Sequence, residues 1–589
     1  MESHVSQPPA SRHESTRLRR ACDKCRMCKV RCDGRDPCTR CTDRGVACRF
    51  GRVRRRADIP SSDGPSASSP RHRRRRLLKA IHVTHPREPP WMMNAFYGPS
   101  SNYSALIKLR DLLLQDRIQR DASNETEEAN RCIDNLGYRP MIFATSDSPQ
   151  SQENIASGPN FALLPFELAQ RFLAIFSATL LHMQPLQTRE TLEKWLEGLY
   201  GCPGSVQATP TEHSILFAAL AIAATFTEHD SWGERLFQQA QMQASSLSRD
   251  TTNVLAVQVD LLLAVYEWQV GRSDSTYAYL GDATRKVFAA GLHRMGSSEP
   301  GQGSDQAMAR VTLLSLFCYE NYIGITLGRP SSLTMEHVGN LSCEDYPTLS
   351  KLLTFTKAIR ELQMTQEKED FNNGRMLMQS GMKARNRLDG LAAELRHGRE
   401  SSSSGIADND PTPGDTYYLL MMLYHYAILV AYRPYLFLFS REIEYPDLSR
   451  DDERWPNLTY INSHYTLYQS CLGQAVSSAH QIVSLLEEAD TEGSLVTDSA
   501  HNAFFVESAC LVLIYHCLID HRIRPLNLGF IHAGMNHLRK MASKKVASGR
   551  LSAMEHLLAT AGLVDERLLN GGDVVLWSGG LVVPVESVD

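Results

Sequence analysis

The first twenty residues of the sequence contain no apolar segment of the kind found in secretory signals, and one apolar run, residues 417–432, needs checking as a membrane span. This run has sixteen residues and is rich in tyrosine, whereas a span needs about 20. This run predicts a buried core helix. We therefore expect no secretory signal and no membrane partner.

Common local signatures of enzymes are also missing. No glycine-rich phosphate loop, HExxH or GxSxG motif occurs in the chain after the first eighty residues. Strand-like alternation is scarce, no repeat of fixed period is visible, and the residues after position 50 hold barely two heptads of coiled-coil pattern. These patterns predict a mainly α-helical protein that does not dimerise through a coiled coil at this point. We also expect that it is not an enzyme, although a catalytic site built across distant helices would leave no local motif.

Charge is divided between two opposite parts of the chain. The formal net charge is only −4, yet residues 1–80 hold 22 Lys and Arg against 8 Asp and Glu. This leaves 40 of the 62 basic and 58 of the 66 acidic residues after position 80. A basic head on an acidic body indicates a polyanion partner for the head only.

Cysteine is concentrated in the head, where seven of the fourteen cysteines lie between Cys22 and Cys48. The other seven have no metal-type spacing, which is typical of buried thiols in a reducing compartment. They are Cys132, Cys202, Cys318, Cys343, Cys471, Cys510 and Cys517.

The cysteine block contains a duplicated half-motif. If Cys28 is left aside, the pattern C-x2-C-x6-C occurs twice, and the six cysteines are Cys22, Cys25, Cys32, Cys38, Cys41 and Cys48. Tetrahedral Zn²⁺ requires four ligands, so six thiolates can hold two zinc ions only if two of them bridge. The block therefore predicts two Zn²⁺ ions in one six-thiolate cluster, with Cys28 as a spare thiol.

Two alternatives to this interpretation remain open. The first four cysteines, with Cys28 included, have the C-x2-C-x2-C-x3-C spacing of bacterial ferredoxins, although Asp33 stands where that motif has proline. An iron–sulfur site would leave Cys38, Cys41 and Cys48 unexplained. The other alternative is a structural zinc module that does not bind DNA.

The stretch RRACDKCRMCKVRCDGRDPCTRCTDRGVACRF resembles the DNA-binding domain of fungal Zn(2)-C6 binuclear zinc-cluster transcription factors. The resemblance implies that Cys22 and Cys38 bridge the two zinc ions. It also implies a short first helix that starts at Asp23, where the aspartate is a suitable N-cap. Pro37 matches the loop proline of the family, and Cys28 stands where the family commonly has a basic residue.

The same resemblance implies the DNA contacts. Lys29 matches the lysine that contacts guanines of CGG-type GC-rich triplets in the major groove of double-stranded DNA, and Arg26 and Arg31 occupy positions that usually contact phosphates. A second basic run after the cysteine block is a candidate nuclear-import signal, with solvated charge as the alternative. Its residues are Arg71, Arg73, Arg74, Arg75, Arg76 and Lys79.

The body predicts a large all-α regulatory domain. Apolar helical stretches occupy residues 214–226, 253–270, 308–328, 417–434 and 501–519. Parts of this region resemble the fungal-specific middle region of the same family, including helices that end in Arg329-Pro330 and Arg433-Pro434. At both positions we expect the proline to stop the helix and the guanidinium to bind the last carbonyl groups of that helix.

Six segments follow from these patterns. We expect a disordered N-terminus (1–16), a Zn(2)-C6 DNA-binding domain (17–50), a basic Ser/Pro-rich linker (51–100), a connecting segment (101–160), an all-α regulatory domain (161–570) and an acidic-apolar tail (571–589).

The predicted function is sequence-specific regulation of RNA polymerase II genes in the nucleus, as an activator of a specialised-metabolite cluster or a carbon-utilisation pathway. Transcriptional co-regulators, a small-molecule effector and a homodimer formed through residues beyond about 100 are the further partners considered. The alternative is a metabolite-binding or redox-sensing helical protein that carries a structural zinc module.

Overall fold

A computed structural model of the chain describes residues 21–28, 30–35, 37–48, 81–86, 92–119, 164–229, 231–245, 253–297, 304–339, 341, 343–367, 374–402, 413–444, 458–541 and 545–563. The chain divides into two compact units, residues 1–74 and residues 75–589. The predicted N-terminal segment 1–16, the nuclear-import candidates between Arg71 and Lys79, and the tail 571–589 lie outside the described residues.

Unit 1 is small and organised around cysteine. Its described part contains two short helices, α1 (Asp23–Met27) and α2 (Thr39–Asp43). Five cysteine side chains make up its buried core, and Ala21, Val30 and Cys48 pack against them. So few apolar residues cannot stabilise a domain of this size by burial alone, and a bound metal is the usual substitute.

Unit 2 begins with an antiparallel hairpin of β1 (Ile81–Pro86) and β2 (Met92–Tyr97), in which Ile81 lies opposite Tyr97. These strands were not predicted from the sequence. Each contains only six residues, and the proline-rich residues between them made the region resemble a linker.

The other described elements of unit 2 are helices, which confirms the prediction of a mainly α-helical protein with a large all-α domain. In chain order they are α3 (Asn102–Gln119), α4 (Phe166–Thr179), α5 (Arg189–Leu199), α6 (Pro210–Ala224), α7 (Ser231–Ser245), α8 (Val254–Gln269), α9 (Ser273–Ala289), α10 (Ser304–Leu327), α11 (Met335–Val338), α12 (Pro347–Glu367), α13 (Gly374–Ser402), α14 (Pro413–Glu444), α15 (Leu458–Thr491), α16 (Ala500–Ile519), α17 (Arg524–Lys540) and α18 (Lys545–Thr560).

Local capping explains where several helices begin. The Thr209 hydroxyl accepts the backbone N–H of Glu212, whose carboxylate accepts the backbone N–H of Thr209, and Pro210 occupies the first helical position of α6. Asn253 caps α8 by accepting the N–H of Ala256 at 2.8 Å. These interactions occupy backbone donors that the first turn of a helix leaves unpaired.

The centre of unit 2 is α16, which packs against α3, α14, α15, α17 and α18. Seventeen of its twenty residues are buried, and a helix that is apolar all round belongs in a core. Among the described helices, α16 alone has the length and apolarity that a membrane span requires, and 83% of its apolar window is buried inside the protein.

The two Arg-Pro junctions differ from each other. Helix α10 ends at Leu327, before Pro330, as predicted. The prediction is wrong for Pro434, which lies inside α14. A proline removes one hydrogen bond from a helix interior, and here the flanking residues Tyr432 and Tyr435 are buried against the core, so packing sustains the helix past it.

The guanidinium groups at these junctions bind a distant segment, residues 96–102, which we call the anchor segment. Arg329 Nε donates to the carbonyl oxygen of Phe96 at 3.0 Å. Arg433 donates to the carbonyl oxygens of Ser100 and Ser101 at 2.5 and 3.2 Å. The arginines therefore hold another part of the chain, whereas the sequence analysis expected them to bind the ends of their own helices.

A contact between two glycines also holds the anchor segment. Gly328 follows α10 with φ +65°, and a Cβ added to it would lie 2.4 Å from the Cα of Gly98. A Cβ on Gly98 would lie 2.0 Å from the carbonyl oxygen of Gly328. Only glycine permits both the left-handed backbone conformation and this close approach of two backbones.

Candidate metal centre

The structure brings the six predicted cysteines into two groups of four thiols. One group contains Cys22, Cys25, Cys32 and Cys38, and the other contains Cys22, Cys38, Cys41 and Cys48. Within each group all sulfur atoms lie within 4.8 Å of one another. Cys22 and Cys38 belong to both groups, which is the arrangement that two bridging thiolates require.

The sulfur spacing fits tetrahedral zinc. The Sγ–Sγ distances from Cys22 to Cys38, from Cys22 to Cys41 and from Cys25 to Cys38 are each 3.7 Å. A tetrahedron with Zn–S bonds of about 2.3 Å places its sulfur atoms about 3.8 Å apart. The thiols are therefore already positioned to hold a metal ion in each group.

The duplication of the half-motif extends to the backbone. The carbonyl oxygen of Cys25 accepts a hydrogen bond from the N–H of Val30 at 3.0 Å, and the carbonyl oxygen of Cys41 accepts one from the N–H of Val46 at 3.0 Å. In both halves the donor lies five positions after the acceptor. Each half therefore has the pattern C-x2-C-x4-V-x-C. The cysteine spacing by itself did not point to these valines, which an alignment of the two halves would have found.

A backbone N–H group favours the thiolate form of Cys22. Cys22 directly precedes α1, and its sulfur accepts the N–H of Cys25 at 3.4 Å. This hydrogen bond is the main cause of the lowered pKa of Cys22. Helix α1 starts at Asp23 as predicted, and the sulfur of Cys22 accepts a backbone N–H of its first turn. A lowered thiol pKa assists metal binding, because zinc binds the thiolate.

Asp33 joins the two halves. Its Oδ2 accepts the N–H of Thr39 at 3.1 Å and also the Thr39 hydroxyl, and these two bonds lower the pKa of Asp33. The loop between the halves passes through Gly34, whose φ is +79°. The aspartate that stands in place of the ferredoxin proline thus caps α2 and connects the halves.

Cys28 is separate from the thiol cluster. It is exposed and belongs to neither four-thiol group. The ferredoxin-type alternative requires Cys28 as a ligand together with Cys22, Cys25 and Cys32, so the geometry disfavours it.

The predicted DNA-contacting residues are only partly described. Arg31 is exposed, whereas Lys29 and the side chain of Arg26 lie outside the described residues. Four further basic residues that the sequence analysis did not single out are exposed around the cysteine cluster, namely Lys24, Arg35, Arg40 and Arg44. Exposed cations on a small rigid scaffold suit contact with phosphate.

The thiols of unit 2 have a different character. Cys318, Cys343, Cys471, Cys510 and Cys517 are buried. Burial raises the pKa of Cys318 and Cys510 to about 12, so these groups remain protonated and poorly reactive at neutral pH. They give no support to the redox-sensing alternative.

Fold and site together define a protein with a binuclear six-cysteine metal centre and a separate large helical domain. Comparisons with known families agree with this description. Residues 20–57 match the fungal Zn(2)-Cys(6) binuclear cluster domain, and residues 188–378 match the fungal specific transcription factor domain. The chain thus carries both domains of fungal Zn(2)-C6 zinc-cluster transcription factors, and a cluster domain of this type binds two zinc ions.

Three curated relatives are similar over parts of the chain. C6 finger domain transcription factor hasA of Aspergillus fumigatus is 47% identical over 51 residues, which are 8% of this chain and 12% of hasA. Activator of stress genes 1 of Saccharomyces cerevisiae is 21% identical over 548 residues, with 72% of this chain and 56% of the relative covered. Terreic acid cluster-specific transcription factor atF of Aspergillus terreus is 45% identical over 63 residues, 11% of this chain and 10% of atF. The chain thus spans less than two thirds of each of these relatives.

Proposed function

We propose that the chain is a zinc-dependent transcription factor that binds double-stranded DNA sequence-specifically and activates RNA polymerase II genes in the nucleus. The observation that carries this proposal is the pair of four-thiol groups that share Cys22 and Cys38, with exposed basic residues around them. The relative named Activator of stress genes 1 supports activation. The basic run between Arg71 and Lys79 would serve nuclear import.

The six cysteines of the two groups are the proposed zinc ligands, and Cys22 and Cys38 are the bridging pair. Two Zn²⁺ ions with six thiolates carry a formal charge of −2. The seven basic residues between Cys22 and Cys48 exceed the four acidic ones in that block, and basic residues also flank it. The surface that meets DNA therefore stays positive, as contact with a polyanion requires.

Lys29 is the proposed base-contacting residue, and Arg26 and Arg31 are the proposed phosphate contacts. Lys29 lies between two ligand cysteines, Cys25 and Cys32, so bound metal would restrain its backbone from both sides. A restrained ammonium can reach guanine O6 and N7 in the major groove. Phosphate contacts position the domain but carry no sequence information.

The Lys29→Ala variant tests the base-contacting role. We expect it to lose about 1–3 kcal/mol of binding free energy on the preferred CGG-containing site and much less on random DNA. Arg31→Ala, the matched control, should weaken binding to both DNAs equally and reduce the salt dependence by about one unit per lost contact. Titration of both DNAs at several salt concentrations measures these effects.

An unchanged preference for the best site in Lys29→Ala would contradict the base-contacting role. If the zinc-loaded wild type binds no DNA, or binds the CGG-containing site and random DNA with equal affinity, the proposed function itself is wrong.

Cys28→Ser is expected to retain both zinc ions. Cys28 is exposed and lies outside both four-thiol groups, so its thiol should contribute nothing to the metal centre. Elemental analysis of the variant should give about two zinc per chain, equal to the wild type. A fall to one zinc would show that Cys28 is a ligand.

A further inference from the structure

The helical domain contains a cavity that the proposed DNA binding does not use. It lies between α4, α10, α12 and α14, and Ser499 and His501 at the start of α16 also line it. The cavity encloses about 1070 Å³, including the solvent at its mouth.

The cavity wall is apolar and rich in aromatic rings. Phe226, Tyr319, Tyr322 and Phe355 line it together with leucine, isoleucine and methionine side chains. The His501 ring stacks on Tyr322 with ring centroids 5.3 Å apart. Flat aromatic molecules suit such a wall, because rings pack well in offset-stacked and edge-to-face geometries.

Four polar atoms in the cavity wall have no hydrogen-bond partner among the described residues. They are Ser315 Oγ, Tyr319 OH, Tyr322 OH and Gln184 Oε1. Ser315 is 1% exposed and Tyr319 is 7% exposed. A buried polar atom without a partner is costly and uncommon in native proteins. Four of them around one cavity would gain a partner from a molecule or from ordered water inside it.

The charge of the wall restricts the ligand. Asp415 is the only charged side chain among the described residues that line the cavity, and it is an acid. Burial lowers the pKa of His501 to about 4, so this histidine is neutral at physiological pH. With no cation in the wall, an anionic ligand would lose its hydration without an opposite charge to replace it.

We propose that this cavity binds a neutral aromatic molecule that carries hydroxyl or carbonyl groups. The rings of the ligand pack against the aromatic wall, and its polar groups pair with the hydroxyls of Ser315, Tyr319 and Tyr322. The site lies wholly within the helical domain and does not depend on the metal centre.

The test uses the full chain and three probes of one shape, namely 2-naphthol, naphthalene and naphthalene-2-sulfonate, each titrated by fluorescence. We expect saturable binding of 2-naphthol and at least tenfold weaker binding of the sulfonate. The Tyr319→Phe/Tyr322→Phe variant removes the unpaired hydroxyls at nearly constant shape. It should bind 2-naphthol about tenfold more weakly and leave naphthalene binding unchanged.

Two further variants locate the site. Ser315→Leu places a larger side chain in the cavity and should abolish binding of both 2-naphthol and naphthalene. Tyr279→Phe is the control, because the Tyr279 hydroxyl lies outside the cavity and accepts a hydrogen bond from Gln241 Nε2 at 2.6 Å. The Tyr279→Phe variant should bind 2-naphthol with the same affinity as the wild type. Thermal melting of each variant verifies that it is folded.

Three results would overturn the proposal: absence of saturable 2-naphthol binding, equal binding by folded Ser315→Leu, or sulfonate binding as tight as that of 2-naphthol. The first would mean that ordered water alone pairs with the cavity hydroxyls.

Discussion

Replacement of either shared cysteine, Cys22→Ser or Cys38→Ser, is expected to remove both zinc ions and abolish DNA binding. Each of these thiols belongs to both four-thiol groups, so its loss leaves two incomplete sites. Structural zinc contributes on the order of 10–16 kcal/mol of binding free energy that is also folding free energy. Unit 1 has little else to stabilise it, since its described buried core consists of cysteines.

Cys25→Ser provides a graded comparison. This substitution breaks one four-thiol group and leaves the other, Cys22, Cys38, Cys41 and Cys48, complete. We therefore expect Cys25→Ser to bind about one zinc per chain, whereas the wild type binds about two and the shared-cysteine variants bind about none. Elemental analysis together with DNA titration measures the series. If Cys22→Ser and Cys25→Ser retain the same amount of zinc, Cys22 and Cys38 do not bridge.

Loss of the Arg433 guanidinium is expected to destabilise the helical domain by about 3–5 kcal/mol. Arg433 is 3% exposed, and besides two carbonyl groups it donates to Asn102 Oδ1 at 3.0 Å. Asn102 in turn donates to Ser508 Oγ at 2.8 Å and to Glu507 Oε2 at 3.3 Å. Arg433→Met would take one donor away from each of these buried acceptors and remove a positive charge that favours the ionised form of Glu507.

Arg189→Met is the matched control, because the Arg189–Glu193 pair is 58% and 45% exposed and exposed pairs contribute about 0–1 kcal/mol. Denaturant unfolding should separate the two variants clearly. Hydrogen exchange should also show lost protection in the anchor segment of Arg433→Met only. Equal stability of the two variants would show that the anchor segment does not depend on Arg433.

Much of the metal centre could be predicted from the sequence because its ligands are close in the chain. Six cysteines within 27 residues can reach one centre by local turns and two short helices, and the equal spacing of the halves reveals their equivalence. Tetrahedral zinc then requires sharing of thiolates, although the identity of the shared pair came from the family resemblance. The hydrogen bond from the Cys25 N–H to the Cys22 sulfur could not be predicted, because the cysteine spacing does not show which backbone N–H groups face the sulfur atoms.

The helices could likewise be predicted from local apolar periodicity, but the end of α14 could not. An Arg-Pro pair marks a helix end in a sequence, and it does so at Pro330. At Pro434 the buried neighbours Tyr432 and Tyr435 sustain the helix. Packing of this kind depends on distant helices, so the local pattern contains no sign of it.

Local chemistry in the sequence therefore establishes the cysteine cluster and the helical character of the body, since both depend on residues within about 30 positions of one another. The tertiary structure alone shows which groups the two arginines bind and where the cavity lies. Asn102 and Ser508, which take part in one buried network, are separated by 406 positions, and the cavity collects side chains from Ala178 to His501. Such contacts arise from the three-dimensional packing of helices, and no short-range pattern in the chain encodes them.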